Sequence, residues 1–232
     1  MNRLKKIRLE TYWEAKSSFF YFIIKKIILN ARNKFFKQFV YYTKYKNNKS
    51  VLDIGTTPSL DEEHNIILEK TKKNKKITCL SNNDCKILSS KFPHLKSFII
   101  GDAKKTRLKS NSFDIVHSNA VIEHVGSYKN QILFVKEAVR VSKKFIFIQT
   151  PNRFFPIDPH TNLPFIHWLP KNLHRKFLKF FDLDFYSLEK NLNLLSKKDL
   201  YEICKILKLK KFKIIKYKLF FITSNLILVI EK

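Results

Sequence analysis

The stretch VLDIG at residues 51–55 decides how this sequence can fold. Val51 to Ile54 form a short apolar run, which is typical of a strand covered on both faces of a parallel sheet. Gly55 follows at once and precedes the sequence TTPS. Because a glycine lets the backbone turn sharply and come close to a ligand, the stretch predicts a buried strand ending in a tight ligand-binding turn.

Apolar runs and helical patterns alternate after this turn. The other predicted strands of the first part are KITCL (76–80), SFII (97–100), FDIVHS (113–118) and KFIFIQ (144–149). The predicted helices are SLDEEHNIILEKTKK (59–73), NDCKILSSKF (83–92), YKNQILFVKEAVRVS (128–142) and SKKDLYEICKILKL (196–209). Ser59 with Glu62 predicts a capping box, and Ser196 predicts a helix N-cap. This alternation predicts a parallel sheet with right-handed crossovers.

The end of the chain has a different pattern. Residues 211–232 contain two apolar runs, and the polar residues Thr223 to Asn225 lie between them. We expect a final pair of strands with its turn at these polar residues.

The composition permits a large hydrophobic core but does not indicate which kind of molecule the protein binds. The chain has 232 residues, 44% of them hydrophobic, and a net charge of +27. The charge favours a nucleic-acid or anionic-membrane partner, but the lysines are scattered, which is also typical of a general Lys, Asn, Ile and Phe bias. Three cysteines without a CxxC pair argue against a disulfide framework or a zinc site and favour reduced thiols in a cytoplasm. We expect neither a signal peptide nor a membrane span.

Residues 1–46 form a basic segment with apolar residues at helical spacing. The positions that share this spacing are Phe20, Ile24, Ile27, Ile28, Ala31, Phe35 and Phe39. We expect a helix that packs on the main domain or caps its active site. The alternatives are peripheral contact of residues 12–42 with an anionic membrane, or the binding of a partner protein.

Residues 150–195 interrupt the alternation. The stretch TPNRFFPIDPHTNLPFIHWLP (150–170) contains five prolines and many aromatic residues. Long structured loops in compact domains are often functional, so we expect this insert to cap the functional site.

Four segments together resemble the class I S-adenosylmethionine-dependent methyltransferases. They are VLDIG (51–55), GDAKKTRLKSNSFDIVHSNAVIEHV (101–125), FVKEAVRVSKKFIFIQTPN (134–152) and the closing helix with its two strands. The resemblance covers about residues 48–232 and is strongest over 51–152. It implies a methyltransferase domain over 47–232: an α/β, mostly parallel, seven-stranded Rossmann-like sheet with helices on both faces and an antiparallel last strand. It also implies S-adenosylmethionine as cofactor.

The resemblance assigns cofactor-binding roles by position. It implies that Asp53 and Gly55 hold the methionine part of the cofactor, although the usual second glycine is absent. Further implied cofactor residues are Ser81 and Asn82 after the second strand, Asp102 and Ala103 in GDA, and Ser118 and Asn119 at the end of the fourth strand. The usual ribose-binding acid is missing at Ser81, and Asp84 is an alternative to Asn82.

Two histidines are the catalytic candidates. S-adenosylmethionine carries an already activated methyl group, so the protein has mainly to align the acceptor and exclude water. A hydroxyl acceptor would also lose a proton, which suits His124 or His160, with Asp158 as a partner of His160. His160, His167 and His174 recur every seven residues, but Pro164 and Pro170 prevent a shared helix face, so no metal is expected.

Three functions follow as hypotheses. The first is methyl transfer to a small-molecule, sugar or lipid-linked acceptor, in the cytoplasm or peripherally on the inner face of the membrane. The second is RNA methylation, which the charge favours and the lack of a base-methylating motif opposes. The third is a non-catalytic binding or scaffold protein, because the glycine loop is thin and the ribose acid is missing.

Overall fold

Seven strands form one sheet in the order β3-β2-β1-β4-β5-β7-β6. In this computed structural model, which describes residues 19–62 and 64–232 and side chains from residue 25 onward, strands β1 to β5 are parallel. The strands are β1 (Val51–Ile54), β2 (Ile77–Ser81), β3 (Ser97–Ile100), β4 (Phe113–Asn119), β5 (Ser142–Pro151), β6 (Phe212–Leu219) and β7 (Ile222–Glu231). Strand β7 is antiparallel to β5 and to β6. The predicted Rossmann-like sheet is confirmed.

Helices cover both faces of this sheet. They are α1 (Phe19–Thr43), α2 (Ile66–Lys70), α3 (Leu88–Lys91), α4 (Tyr128–Val141), α5 (Lys171–Phe180), α6 (Asp184–Ser187) and α7 (Lys197–Ile206), with 3₁₀ turns at Ile122–His124 and Ile166–Trp168. Leu52 and Ile54 pack into one buried cluster with α4 and α7, while Val51 packs into a second cluster with α1, α2 and α3. This alternation follows the two-residue period of a strand and explains why β1 is apolar throughout.

The two predicted helix caps have different outcomes. Ser196 caps α7 in a reciprocal capping box with Asp199, as the sequence indicates. The box predicted for Ser59 and Glu62 is wrong, because α2 begins only at Ile66 and the Ser59 hydroxyl accepts a hydrogen bond from the N–H of Asp61 instead. The residues before α2 form an irregular loop that lies beside the candidate site.

The turn between the last two strands is also displaced from its predicted position. Thr223 to Asn225 belong to β7, and the turn is made by Phe220 and Phe221, with φ values of 47° and 69°. Such φ values are unusual for bulky side chains. Thr223 to Asn225 lie in β7 because this strand pairs with β5 down to the pair of Asn225 with Pro151.

Helix α1 packs on the sheet through the aromatic residues that its spacing indicates. Phe35 lies edge-on to Tyr217 at 4.6 Å between ring centroids, and Phe39 contacts the rings of His117 and Phe147 at 5.4 and 5.6 Å. The described part of α1 therefore packs against the sheet as part of the domain. Residues 1–18, including part of the segment predicted to touch a membrane, lie outside the described residues. Among the helices that the structure describes, none has the length and apolarity of a membrane span.

Candidate active site

A cavity of about 240 Å³ opens where β1 and β4 end side by side. Ligands of open α/β sheets bind at this carboxyl edge. The lining residues come from the ends of these strands, the loop before α2, helix α1 and the insert: Arg32, Asp53, Ile54, Gly55, Thr57, His64, Asn65, Ile66, Ile67, His117, Asn119, Ala120, His124 and His160.

Gly55 forms the turn at one end of the cavity, and no other residue type fits there. Its φ is +89°, and a Cβ atom would lie 2.0 Å from Cγ2 of Val121. Its N–H donates to the carbonyl of Leu80 at 2.8 Å, which fixes the turn to the neighbouring strand β2. The turn therefore needs its glycine both for conformation and for space.

An asparagine holds the loop that follows Gly55. The Asn65 side chain accepts from the N–H of Thr57 at 3.1 Å and donates to the carbonyls of Thr57 and Ser59 at 2.9 and 3.0 Å. Arg32 of α1 reaches the same loop and donates to the carbonyl of His64 at 3.3 Å. Side chains thus shape a loop that has only one glycine. Sequence reasoning missed Asn65 and Arg32, and the only signal for Asn65 was its place just before an apolar helix start.

A buried polar pair lies beneath the turn. Nδ1 of His117 is 2.6 Å from Oδ1 of Asp53, and the hydroxyl of Thr56 donates to Oδ2 of Asp53 at 3.2 Å. Asp53 and His117 are register partners on β1 and β4, so both side chains point to the same face. The Asp53 carboxylate is therefore already bonded within the protein, and His117 is a cavity residue that the sequence analysis did not single out.

A second group of polar side chains, Glu123, His124, Asp158 and His160, meets at the cavity, which His124 and His160 line. Nδ1 of His160 lies 2.8 Å from Oδ1 of Asp158, and its Nε2 lies 3.9 Å from Oε1 of Glu123. The His124 and His160 rings are 4.9 Å apart, and Nδ1 of His124 is 2.6 Å from the carbonyl of Asn191. The insert therefore brings His160 against the 3₁₀ turn that follows β4, as a cap over the site would.

The pKa values of Asp158 and His160 are shifted by their contact with each other. Burial by itself would lower the pKa of His160, but the hydrogen bond and charge of Asp158, with the charge of Glu123, raise it. Burial would raise the pKa of Asp158, but its hydrogen bonds and the charge of His160 lower it. Both shifts favour a charged pair when nothing else is bound.

The structure brings together half of the residues that the sequence suggested. Lining the cavity are Asp53, Gly55, Asn119, His124 and His160. Five others do not line it: Ser81, Asn82, Asp102, Ala103 and Ser118. They lie at or after the carboxyl ends of β2, β3 and β4, along the same edge of the sheet.

Two of these five residues have informative surroundings. Asp102 has a half-exposed carboxylate that pairs with Nζ of Lys104 at 2.9 Å. Ser118 is fully buried, and its hydroxyl has no hydrogen-bond partner among the described residues. A role of these residues in cofactor binding stays a prediction.

Comparison with known proteins gives the class. Residues 65–145 match the family model described as a methyltransferase domain. No curated protein sequence matches the chain significantly. Among solved structures, a SAM-dependent methyltransferase from Archaeoglobus fulgidus is 15% identical, with a TM-score of 0.56 over 93% of this chain and 100% of the other.

Two ligand-bound structures are similar to the same extent. The 1,6-didemethyltoxoflavin-N1-methyltransferase of Burkholderia thailandensis, with 1,6-didemethyltoxoflavin and S-adenosylhomocysteine bound, is 9% identical, with a TM-score of 0.58 over 87% of this chain and 78% of the other. The magnesium protoporphyrin IX methyltransferase of Synechocystis, with bound S-adenosylhomocysteine, is 10% identical, with a TM-score of 0.59 over 90% and 87%.

The domain match is to a methyltransferase domain, and the similar solved structures have the fold of S-adenosylmethionine-dependent methyltransferases. The resemblance to methyltransferases read from the sequence is confirmed by this domain match and by the fold. At these identities the solved structures show likeness of fold alone, so the acceptor has to be argued from this chain's own residues.

Proposed function

We propose that this protein transfers a methyl group from S-adenosylmethionine to a hydroxyl group of an acceptor that has an apolar part and is held near a membrane. One observation carries the proposal: Gly55 lines the same cavity as His124 and His160, which form a cluster with the buried Glu123. The turn suits the methionine end of the cofactor, because Gly55 lines the cavity and has no side chain to keep a ligand away from its backbone. The cluster suits a polar acceptor group.

The remaining cofactor contacts follow from the sheet edge. Asn119 lines the cavity, and the neighbouring Ser118 has a buried hydroxyl with no hydrogen-bond partner in the described part of the chain. Ser81 and Asn82 at the end of β2, and Asp102 and Ala103 after β3, are proposed to contact the adenosine part. The cofactor has no phosphate, so a turn with one glycine is adequate where a dinucleotide would need a glycine-rich one.

The residues of the cluster have two tasks in this reaction. When bound, S-adenosylmethionine supplies a methyl group that moves to the acceptor oxygen and leaves S-adenosylhomocysteine as the second product. His124 and His160 would hold the acceptor hydroxyl in line with that methyl group. The hydroxyl proton has to leave during transfer, and His160 lines the cavity with its ring oriented through Nδ1 by a buried carboxylate, so its Nε2 can accept that proton when the imidazole is neutral.

The insert supports an apolar acceptor. Helix α5 exposes Leu173, Phe177 and Phe180 at a spacing of four and three residues, so these side chains form one stripe on its surface. Phe185 of α6 is also exposed, and its neighbour Tyr186 lies 6.1 Å from the His160 ring. Phe185 and Tyr186, whose rings are 5.2 Å apart, therefore connect solvent with the cluster, which suits an acceptor with an apolar tail.

Charge supports a membrane as the place where that acceptor is found. Lys176 and Lys179 are exposed and lie beside the apolar stripe of α5, and the chain carries a net charge of +27. Phe220 and Phe221, at 73% and 95% exposure, protrude in the hairpin turn beyond the carboxyl end of β5. Exposed aromatic residues next to lysines are typical of proteins that lie on anionic lipid surfaces.

Labelled cofactor tests this function. The protein is incubated with methyl-labelled S-adenosylmethionine and a cell extract, which is then separated into lipid, polysaccharide, RNA and protein. We expect label in the lipid fraction with the wild-type protein and none with His160→Ala. Label in RNA would support the RNA hypothesis instead. If calorimetry detects neither S-adenosylmethionine nor S-adenosylhomocysteine binding at millimolar concentration, the non-catalytic hypothesis replaces ours.

A further inference from the structure

Glu123 is a buried carboxylate with one unused oxygen. Its side chain is 0% exposed, and Oε2 accepts a hydrogen bond from the Thr150 hydroxyl at 2.9 Å. Oε1 has no hydrogen-bond partner among the described residues. Nε2 of His160 is 3.9 Å away, which is too far for a hydrogen bond. Because a buried polar oxygen without a hydrogen-bond partner is unfavourable, Oε1 of Glu123 indicates a missing ligand.

The two histidines beside it are oriented as metal ligands are. Nδ1 of His160 is bonded to the Asp158 carboxylate, and Nδ1 of His124 to the carbonyl of Asn191. Each imidazole therefore uses Nδ1 for this bond, which leaves Nε2 as the atom that can bind a metal ion once it has released any proton that it carries. Metal-binding histidines almost always have such a carboxylate or carbonyl partner on the second nitrogen. The Glu123 carboxylate has its own partner in Thr150, so every member of the cluster is supported from outside.

The three groups also converge in space. One ligand atom each from Glu123, His124 and His160 lies within 4.8 Å of the other two. Ligand atoms around an ion at bond lengths of about 2.0–2.2 Å lie roughly 3–3.5 Å apart, so closing the site requires movements of about 1 Å. Both Glu123 and His124 belong to a short 3₁₀ turn, and His160 belongs to a loop, so such movements are local.

We propose that Glu123, His124 and His160 bind a divalent first-row transition-metal ion, with further positions left open toward the cavity. Two imidazoles and one carboxylate favour ions such as Mn²⁺ or Zn²⁺ over Mg²⁺ or Ca²⁺, which prefer oxygen ligands. The sequence pattern alone points away from a metal, because it groups His160 with His167 and His174. His167 instead uses Nε2 near the carbonyl of Phe155, at 2.6 Å, and is not part of the cluster.

The ion would explain how the acceptor is activated, and this role rests on the proposed function. An acceptor hydroxyl that coordinates the ion has a lowered pKa. It would release its proton to a water molecule of the cavity, and its oxygen would form the new bond to the methyl carbon as the methyl–sulfur bond breaks. His124 and His160 would then act as ligands. The alternative is that His160 takes the proton itself, and metal-binding measurements separate the two.

The test is a titration of the metal-free, full-length protein with Mn²⁺, followed by the electron paramagnetic resonance of free Mn²⁺, and with Zn²⁺ in competition. We expect one Mn²⁺ per chain for the wild type and no measurable binding for Glu123→Gln or His160→Ala. Asp158→Asn, which changes the support of His160 but no ligand, should bind about 10–100-fold more weakly. The matched control is His94→Ala, which removes an imidazole far from the cluster and should bind as the wild type does.

Two outcomes would overturn the metal site. One is the absence of binding to the wild type below millimolar Mn²⁺ or Zn²⁺, and the other is equal binding by wild type and Glu123→Gln. Circular dichroism melting of each variant checks that it is folded. S-adenosylhomocysteine binding is measured on the same samples by calorimetry. If that binding is present while metal binding is absent, the metal inference fails and the methyltransferase proposal stands.

Discussion

At the scale of single residues, substitutions of Gly55 and Asp102 probe the proposed contacts with the methionine end and the adenine end of the cofactor. Gly55 is constrained by its own backbone angle and by Val121, while Asp102 is half-exposed and paired with Lys104. The first position is determined by conformation and space, so its substitution acts on the fold as well as on binding. The second is a surface carboxylate, so its substitution should act on binding alone.

Gly55→Ala should lower the free energy of unfolding by about 2–4 kcal/mol, because it combines a positive φ with an overlap against Val121. Urea denaturation measures this loss. Gly101→Ala is the control, since its added Cβ would only come within 3.4 Å of Leu80 and should cost under about 1 kcal/mol. Adding Val121→Ala to Gly55→Ala should restore part of the stability by removing the overlap. Equal losses at Gly55 and Gly101 would contradict this account of the turn.

Asp102→Ala should weaken S-adenosylhomocysteine binding about tenfold if its carboxylate contacts the adenine, the usual effect of removing one buried polar partner. Lys104 donates to this carboxylate from both its N–H and its side chain and, against partial burial, lowers the pKa of Asp102. Lys104→Ala should therefore leave cofactor binding unchanged or tighten it, because it removes the competing ion pair with Oδ1 while the N–H of residue 104 still donates to that oxygen. Calorimetry decides, and an unchanged affinity of Asp102→Ala would move the adenine contact to another residue.

At the scale of elements, one glutamate ties helix α4 to the loop after β3. Oε1 of Glu137 accepts from the N–H and the hydroxyl of Thr106, each at 2.7 Å, and Oε2 accepts from Arg140 at 2.8 Å. The hydrogen bond from Arg140 is the main cause of a pKa of about 2, with burial opposing it and Thr106 assisting. Helix α4 also follows the 3₁₀ turn that carries Glu123 and His124, so this contact helps to fix that turn.

Glu137→Gln should lower the free energy of unfolding by about 2–3 kcal/mol at pH 7. The folded pKa of Glu137 lies below its ordinary value of 4.5, so its stabilisation is full above pH 4.5 and is lost as the pH falls toward 2. Urea denaturation at several pH values should show the difference between wild type and variant shrinking over this range. Glu202→Gln, which removes an exposed pair with Lys198, is the control and should change stability by under about 1 kcal/mol. A difference that does not depend on pH would refute the charge effect.

At the scale of the whole molecule, charge and exposed aromatic residues share the carboxyl edge of the sheet. The aromatic stripe of α5 and the hairpin turn at Phe220 and Phe221 both follow strand ends at that edge, where the cavity opens. By contrast, Phe35 and Phe39 of α1 are buried against the sheet. The proposed membrane surface is therefore at the insert and the hairpin rather than at the described part of the first helix.

The double variant Phe177→Ser/Phe180→Ser should bind vesicles of anionic phospholipid at least tenfold more weakly. Each phenylalanine that becomes partly buried in the lipid contributes roughly 1–2 kcal/mol to binding. Co-sedimentation with vesicles measures the effect. Tyr41→Ser, which removes an exposed aromatic residue from α1, is the control and should bind like the wild type. Binding should also weaken as salt is raised. Equal binding by the double variant and the control would exclude α5 as the contact.

The sequence by itself determined the local features of this protein. It specified the strands and the order of strands and helices, because apolar spacing with a period of two or 3.6 residues directly records which side of an element is buried. It also specified the cap of α7 and the turn at Gly55, since both depend on neighbouring residues alone. Half of the suggested site residues line the cavity because parallel strands all end at one edge.

Only the tertiary structure decided which of these residues meet. Asp53 and His117 are 64 residues apart, and their pairing depends on the register of β1 against β4. His160 reaches Glu123 through an irregular insert that has no periodic pattern, so its position could not be inferred from spacing. The last turn lies at Phe220 and Phe221 because the pairing of β7 with β5 outweighs the local preference of Thr223 to Asn225. Contacts between distant segments depend on register and packing, which local residue preferences do not encode.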